Sequence, residues 1–248
     1  MIRQYESFAS CYDRMMHDVD RESWADYLDA ILKQYDVHDV MDCACGTGEM
    51  AIRLFKRGYH VLGNDVSPQM LMEARNNAYR ERCGNIIFIC EDMRKLKIHK
   101  PIDAIVSVCD GVNYLTSAED VDAFFHHAAG CLKPNGVLLF DISSPYKFRQ
   151  ILSDHTFTDE TEDFAYIWKN MYDPKTRLCE MELTGFVREG DLFKRFRETH
   201  LQRAHAVDDL INRLRKAGFG EIYTYTAFTN EPVSPTCERI QFVARKGS

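Results

Sequence analysis

Short apolar strands alternate with amphipathic helices through the first part of the chain, and this alternation constrains the fold most strongly. Strands are predicted at the segments DVMDCA, YHVLGND, NIIFICED, IDAIVSVCD and VLLFDIS, the last of which ends at Ser143. The segments between them have apolar residues at helical spacing. Apolar strands joined by helices pair in parallel and are covered by helices on both faces. The sequence therefore predicts an α/β fold built on a parallel sheet.

Capping residues mark where two of these helices begin and end. Ser67 is a typical N-cap, and Pro68 follows it at the first helical position, where its missing N–H costs nothing. Ser117 is the predicted N-cap of a later helix, which the Pro-Asn-Gly sequence at residues 134–136 is expected to stop. The helices therefore fall between the predicted strands.

The pattern changes after Pro145. Residues 164–203 alternate with period two and have turn signals at 173–174 and 189–191, which predicts an inserted antiparallel three-strand meander. A helix and two strands then resume the α/β pattern. The chain is thus interpreted as a single domain with four parts: N-terminal cap helices at 1–35, a core at 36–144, an inserted antiparallel cap at 145–204, and a C-terminal helix and hairpin at 205–248.

Charge and cysteine usage exclude several classes of protein. The formal net charge is -7, which argues against long nucleic acid as the main ligand, because neutralising phosphates requires a basic surface. The nine cysteines form no CxxC pair and no cluster at zinc spacing, so we expect reduced thiols, no metal site and a cytoplasmic protein. No apolar run is long enough to cross a bilayer, and the N-terminus lacks the apolar core of a signal peptide.

The segment DCACGTGEM, residues 42–50, joins a predicted strand to a predicted helix. Gly46-x-Gly48-x-x-Ala51 satisfies the loose dinucleotide fingerprint, and Asp65 ends the next strand, where an acid binds a ribose. A nicotinamide or flavin site is therefore one interpretation. However, Asp42 and Glu49 flank the loop and would repel a diphosphate bound to the helix N-terminus. They suit a cationic ligand without phosphate, such as S-adenosylmethionine.

Another acid, Asp92, follows the third predicted strand at the carboxyl edge, where open sheets bind ligands. Its carboxylate can accept a hydrogen bond from an adenine amino group, and the amide of Met93 can donate one to a ring nitrogen.

These motifs resemble those of the class I S-adenosylmethionine-dependent methyltransferases. The matching segments are DCACGTGEM, GNDVSPQML, CEDMRKL, IDAIVSVCDGVNYL and LKPNGVLLFDI, in the family's order and spacing. The N-terminal YESFASCYDRMM and the final ERIQFVARK resemble a bacterial small-molecule branch related to sugar N,N-dimethyltransferases and, more distantly, to glycine N-methyltransferase. One departure is Ala44, where the family usually has glycine. We expect alanine to be tolerated there if its φ is negative.

The resemblance implies a Rossmann-like, seven-stranded, mostly parallel sheet that ends in an antiparallel hairpin. It also implies the cofactor contacts, from the methionine end to the adenine end and then the methyl group. They are Asp42, Ala44, Gly46 and Gly48 at the methionine end, Asp65 at the ribose, Met70, Asp92 and Met93 at the adenine, and Cys109 and Asp110 beneath the methyl group. Val66 is a further predicted cofactor contact. Tyr12 is interpreted as part of a lid over the cofactor.

The acceptor is expected to bind above the carboxyl edge of the sheet, beneath the inserted cap. Asn113 and Tyr114 follow the fourth strand, and with Tyr5 and His200 they are the predicted acceptor-facing residues. Asp110, His200 and Tyr12 are the candidates for a catalytic base, because an attacking hydroxyl needs a proton acceptor. We expect methyl transfer to a nitrogen or oxygen of a small molecule by a monomer or homodimer.

Two rival functions stay open at the level of sequence. One is a nicotinamide-dependent oxidoreductase, against which Asp42 and Glu49 count. The other is a non-catalytic protein that binds S-adenosylmethionine in order to sense it or to bind a partner, since cofactor residues are the same in both. Turnover with an acceptor distinguishes an enzyme from such a protein.

Overall fold

The computed structural model describes residues 9–16 and 19–247, with side chains from residue 12 onward. Seven strands form the larger sheet: β1 (Asp39–Cys43), β2 (His60–Asp65), β3 (Ile87–Cys90), β4 (Ile102–Ser107), β5 (Leu132–Ser143), β10 (Phe219–Thr226) and β11 (Arg239–Lys246). Their spatial order is β10-β11-β5-β4-β1-β2-β3. The first five pair in parallel, whereas β11 is antiparallel to both β5 and β10. The predicted seven-stranded sheet and its final hairpin are confirmed.

Helices cover both faces of this sheet, because successive residues of its central strands point to opposite faces and both sets are buried. The described helices are α1 (Ala9–Met15), α2 (Arg21–Leu32), α3 (Glu49–Lys56), α4 (Pro68–Arg80), α5 (Ala118–Cys131) and α6 (Val207–Lys216). On β1, Val40 belongs to the core shared with α2, α3 and α4, and its neighbour Met41 belongs to the core shared with α5 and α6. The predicted caps are present, since Ser67 accepts from the amide of Met70 and Ser117 from that of Asp120.

The junction of α5 and β5 differs from the predicted Pro-Asn-Gly stop. The helix ends at Cys131, and β5 begins at Leu132 without an intervening turn. Ile102 of β4 pairs with Leu132, but Ala104 pairs with Val137, so residues 134–136 form an irregularity inside the strand. Asn135, with φ 63°, supplies the left-handed residue that this irregularity needs.

A second, antiparallel sheet follows β5. It consists of β6 (Thr156–Glu160), β7 (Phe164–Asp173), β8 (Leu178–Glu189) and β9 (Leu192–Arg203), which pair in chain order. The three predicted strands are β7, β8 and β9, and β6 is an additional edge strand. All five residues of β6 are exposed, so no alternation of apolar and polar residues marks it in the sequence. We call this four-stranded sheet the meander.

Candidate functional site

The glycine loop between β1 and α3 is built on left-handed backbone. Ala44, Gly46 and Gly48 have φ values of 59°, 54° and 77°. A Cβ at Gly48 would lie 3.0 Å from the Cβ of Ala74, so glycine at that position is required by close packing as well as by φ. The expectation of a negative φ at Ala44 is wrong. Alanine there is strained, because its Cβ crowds the backbone in this conformation.

Asp65, at the end of β2, holds this loop in shape. Its Oδ2 accepts a hydrogen bond from the amide of Gly46 at 2.9 Å, and its Oδ1 accepts one from the amide of Ser67 at 2.8 Å. Burial raises the pKa of Asp65, although the amide donors act in the opposite direction. Each carboxylate oxygen has a second lone pair, so the group can still accept from a ligand hydroxyl.

Asp42, at the end of β1, is a buried carboxylate. Only 1% of the residue is exposed, and neither oxygen has a hydrogen-bond partner among the described residues. Burial, followed by the charge of Asp65, raises the pKa of Asp42 to about 7. An acid left without donors in a low-dielectric site suits a cationic ligand group, which would both pair with it and restore its ionised form.

Asp42 lines a cavity of about 60 Å³ beside the glycine loop. Residues of the glycine loop line it, together with Tyr12 of α1 and with Arg21 and Trp24 of α2. Val108 and Cys109, which follow β4, border the same cavity. The structure thus brings together the predicted residues Asp42, Ala44, Gly46 and Cys109, whereas Gly48 and Asp110 do not line this cavity.

Helix α1 connects the cavity to the meander. Asp13 accepts hydrogen bonds from Thr47 Oγ1 at 2.8 Å and from Asn77 Nδ2 at 3.3 Å, which attach the helix to the glycine loop and to α4. Tyr12 packs against the apolar cluster of the meander. Burial raises the pKa of Tyr12 well above its usual value, and nearby Cys109, Tyr114 and Asp110 raise it further. The predicted acceptor-facing Tyr5 lies outside the described residues.

At the predicted adenine end, Asp92 has a partner within the protein. Arg94 Nε lies 3.0 Å from both carboxylate oxygens of Asp92, and the amide of Arg94 donates to Oδ1 at 2.9 Å. Burial acts against ionisation, but the hydrogen bonds from Arg94 hold the pKa of Asp92 below its usual value. Asp92 can therefore accept a hydrogen bond from an adenine amino group only in addition to those from Arg94.

The predicted cofactor contact Val66 and the predicted adenine residues Met70 and Met93 differ in exposure. Val66 is 64% exposed at the carboxyl end of β2, as an apolar ligand contact requires. Met70 is 2% exposed, and Met93 packs against the core beneath α5. Of the three, Val66 presents the most accessible apolar surface.

The loop after β4 is held by ionic contacts. Cys109 and Asp110 both have left-handed backbone, with φ values of 58° and 54°. Asp110 accepts hydrogen bonds from Arg239 Nη2 at 2.9 Å and from Gln202 Nε2 at 2.8 Å, and its amide donates to Asp141 Oδ2 at 3.1 Å. Burial opposes ionisation of Asp110, but Arg239 keeps its pKa below the usual value. These contacts favour a positioning role for Asp110 over that of a proton acceptor.

Arg239, near the C-terminus, therefore joins the loop after β4 to the sheet. Its other guanidinium nitrogen donates to the buried carboxylate of Asp141. The guanidinium also stacks over the ring of Trp24, 5.1 Å from the centroid. Asp110 and Arg239 are separated by 129 residues in sequence, and no local pattern marks the pair.

Of the predicted acceptor-facing residues, Asn113 is structural and Tyr114 meets His200. Asn113 is fully buried, donates to the carbonyl of Arg203 at 2.8 Å and accepts from the amide of Ser143 at 2.9 Å. It therefore fastens the meander to the core. Tyr114 Oη lies 3.3 Å from His200 Nδ1, which brings two predicted residues into contact.

Glu198 and Gln202 belong to the same group and were not predicted. His200 Nε2 lies 3.4 Å from Glu198 Oε2, and Gln202 reaches Asp110. The three residues alternate along β9 and are all buried. The sequence pattern that could have identified this group is three polar residues at period two on one face of a strand, because the inward face of a strand is normally apolar.

An apolar surface on the meander adjoins this polar group. Phe164, Leu183 and Phe196 are buried together, and Tyr166 and Trp168 pack against them. The ring of Phe196 lies over Gly185, where an added Cβ would be 2.1 Å from the ring. Glycine at this position therefore lets the aromatic ring lie flat on the sheet.

Two kinds of site are absent from the part of the chain that the structure describes. Within residues 9–16 and 19–247, no three His, Cys, Asp or Glu side chains converge as metal ligands. No helix in those ranges is long and apolar enough to cross a membrane.

Comparison with known proteins agrees with this site. Residues 40–136 match the family model described as a methyltransferase domain. The chain is 36% identical to the putative methyltransferase YqeM of Bacillus subtilis, covering 98% of this chain and 97% of that protein. It is 28% identical, over 48% of its length and 47% of the relative, to a dTDP-3-amino-3,4,6-trideoxy-alpha-D-glucopyranose N,N-dimethyltransferase of Streptomyces venezuelae.

A solved structure shows the same architecture over the whole chain. The crystal structure of an S-adenosylmethionine-dependent methyltransferase from Clostridium acetobutylicum superposes with a TM-score of 0.89 at 30% identity, covering 99% of this chain and 100% of that one. The predicted resemblance is confirmed, and the oxidoreductase interpretation is set aside. The chain belongs to the S-adenosylmethionine-dependent methyltransferases.

Proposed function

We propose that this enzyme transfers a methyl group from S-adenosylmethionine to a nitrogen or oxygen of a small molecule held between the loop after β4 and the meander. The observation that carries the proposal is the contact between Tyr114 of that loop and His200 of the meander. It puts polar, proton-carrying groups next to the loop that begins at Cys109, which borders the cavity beside Asp42.

The residues of the cavity fit the cofactor. Asp42, without a donor among the described residues, suits the cationic end of the molecule. At Gly46, where an added Cβ would meet nothing within 4 Å, the loop leaves open space for a ligand. Asp65 retains lone pairs for ribose hydroxyls, and Val66 presents apolar surface for the adenine. When bound, the cofactor supplies a methyl group already activated by a sulfonium.

The protein's own contribution is to align the acceptor and to exclude water. Displacement at a methyl carbon requires the attacking atom opposite the leaving sulfur, so positioning supplies much of the rate. Tyr12 lines the cavity and packs against the apolar cluster of the meander, which supports the proposal that the two elements together exclude water. The relatives named as glycine/sarcosine and amino-sugar methyltransferases methylate nitrogen, which supports an amine acceptor. We also propose a cytoplasmic enzyme, supported by the free thiols among the described cysteines.

Incubation with isotope-labelled S-adenosylmethionine and a bacterial small-molecule extract tests the proposal. We expect label in a discrete small molecule, formed in equal amount with S-adenosylhomocysteine. The matched control is Asp65→Asn, which should lose cofactor affinity while it stays folded. Label confined to protein or RNA, or no turnover in a protein that binds S-adenosylhomocysteine, would contradict a small-molecule acceptor.

A further inference from the structure

The inward face of β9 carries ionisable groups where an apolar strand is expected. Glu198 and His200 are 7% and 4% exposed. Their partners across the ladder on β8 are Leu183 and Met181, both buried. Burying a carboxylate and an imidazole beside such residues costs free energy unless they pair. We therefore expect the two buried side chains to have a function.

Two contacts of His200 bear on the position of its ring proton. Nε2 faces Glu198 Oε2 at 3.4 Å, an ion-pair distance, and because a carboxylate accepts hydrogen bonds but cannot donate them, this contact favours a ring proton on Nε2. With the proton on Nε2, Nδ1 of a neutral ring has a lone pair. Tyr114 Oη lies 3.3 Å from Nδ1, within hydrogen-bond distance of that lone pair. The order Glu198, His200, Tyr114 follows the logic by which an acid fixes the tautomer of a histidine that takes a hydroxyl proton.

Tyr114 connects the two residues on β9 to the loop after β4. It ends the short turn Gly111–Tyr114 that begins directly after Asp110. Its charge, with those of Cys109 and Asp110, acts on Tyr12, and both Tyr12 and Cys109 line the cavity beside Asp42. Tyr114 is also only partly buried, whereas His200 and Glu198 are buried behind it.

The neighbouring carboxylate, that of Asp110, is not available as the proton acceptor. Asp110 is engaged by Arg239 and Gln202, at 2.9 and 2.8 Å. An ion-paired carboxylate binds a proton weakly. The imidazole of His200, which contacts both Tyr114 and Glu198, is the other proton-accepting group beside this loop.

We propose that Glu198, His200 and Tyr114 form a relay that removes the proton from the methyl acceptor, an amine or a hydroxyl compound. The inference rests on the proposed function. As the acceptor's nitrogen or oxygen forms its bond to the methyl carbon, the carbon–sulfur bond breaks and its electron pair stays on sulfur. The acceptor's proton passes to Tyr114 Oη while the tyrosine's own proton passes to His200 Nδ1. The imidazolium so formed is paired with Glu198, which is a positioning residue.

The tautomer of His200 tests the relay without any acceptor. Nitrogen-resolved NMR of the full-length protein, saturated with S-adenosylhomocysteine, reports which ring nitrogen is protonated, and His200→Gln identifies the signal. We expect a neutral ring with the proton on Nε2. Glu198→Gln should shift the proton toward Nδ1, and Tyr114→Phe should move the Nδ1 signal. A wild-type ring protonated on Nδ1, or one indifferent to both substitutions, would overturn the relay.

Kinetics with an acceptor identified by the labelling screen give an independent test. Tyr114→Phe and Glu198→Gln should lower kcat by about 10² to 10⁴-fold, the usual contribution of a positioned base. Thr199→Val, on the opposite face of β9, is the matched control and should keep its kcat. Affinity for S-adenosylhomocysteine should be unchanged in all three. An unchanged kcat in Tyr114→Phe refutes the relay, whereas failure of the wild type to bind S-adenosylhomocysteine refutes the proposed function itself.

Discussion

The carboxylate of Asp65 accepts a hydrogen bond from the backbone amide of Gly46, with Oδ2 2.9 Å from the nitrogen. The acid expected to bind the ribose is therefore also the group that shapes the glycine loop. We expect Asp65→Ala to weaken binding of S-adenosylhomocysteine by about 2–4 kcal/mol and to lower the free energy of unfolding by about 1–3 kcal/mol. Calorimetric titration and urea unfolding measure the two effects.

The exposed turn residue Asp191 supplies the control for this experiment, because Asp191→Asn removes a carboxylate far from the described hydrogen bonds of the loop. That variant should match the wild type in both measurements. A folded Asp65→Ala protein with unchanged affinity would exclude the proposed role of Asp65.

Burial of Asp42 makes stability depend on pH. Its pKa of about 7 in the folded protein exceeds the ordinary value near 4 of the unfolded chain. Between about pH 4 and pH 7 the unfolded chain has released a proton that the folded protein keeps, so the free energy of unfolding falls as the pH rises through this range. Above both pKa values it no longer depends on this group. The free energy of unfolding of Asp42→Asn should therefore exceed that of the wild type by up to about 4 kcal/mol at pH 8, and by less at pH 5.5. Urea unfolding of the apoprotein at the two pH values tests this, and an equal difference at both would show that Asp42 does not titrate in this range.

Ala44 carries strain that a glycine would relieve. Its φ of 59° is costly for any residue with a Cβ, whereas glycine adopts it readily. Ala44→Gly should raise the free energy of unfolding by about 0.5–1 kcal/mol, since the greater freedom of the unfolded chain offsets part of the gain. Thermal unfolding with and without S-adenosylhomocysteine checks the stability and confirms that binding is retained. Destabilisation by glycine would mean that the backbone at this position is not strained.

Substitution of Gly185 tests whether the meander serves the acceptor and not the cofactor. The new Cβ would lie 2.1 Å from the ring of Phe196, so Gly185→Ala must displace that ring. We expect a loss of about 1–3 kcal/mol in stability and a reduced kcat/KM for the acceptor, with unchanged affinity for S-adenosylhomocysteine. The control is Gly130→Ala in α5, where an added Cβ meets nothing within 4 Å. Loss of cofactor affinity in Gly185→Ala alone would contradict this division of roles.

Some of this architecture could be predicted because its signals are local. Alternating strands and helices specify the parallel sheet, and the order of strands then brings Asp42, Asp65 and Cys109 to one edge. Three strands of the meander were predicted because apolar residues alternate along them between clear turns. The fourth, β6, has no such signal, since none of its side chains is buried.

Other features depend on contacts between distant parts of the chain. The partner of Asp110 is Arg239, 129 residues away, and only the folded sheet brings β5, β11 and the loop after β4 together. Likewise, Ala44 has left-handed backbone in a loop whose Gly46 is held by Asp65 of the next strand, a contact that the sequence of the loop does not show.

Titration of the full-length apoprotein with S-adenosylhomocysteine and, separately, with NADH tests the central claim most directly. The buried carboxyl of Asp42 lines the cavity beside the glycine loop and favours the cationic sulfur nucleoside over a dinucleotide with two phosphates, whereas the charge of Glu49 is paired with Arg21 and Arg53. We predict saturable binding of S-adenosylhomocysteine with one site per chain, lost in Asp65→Asn, and no heat from NADH beyond dilution. Saturable binding of NADH together with no response to S-adenosylhomocysteine would contradict the account.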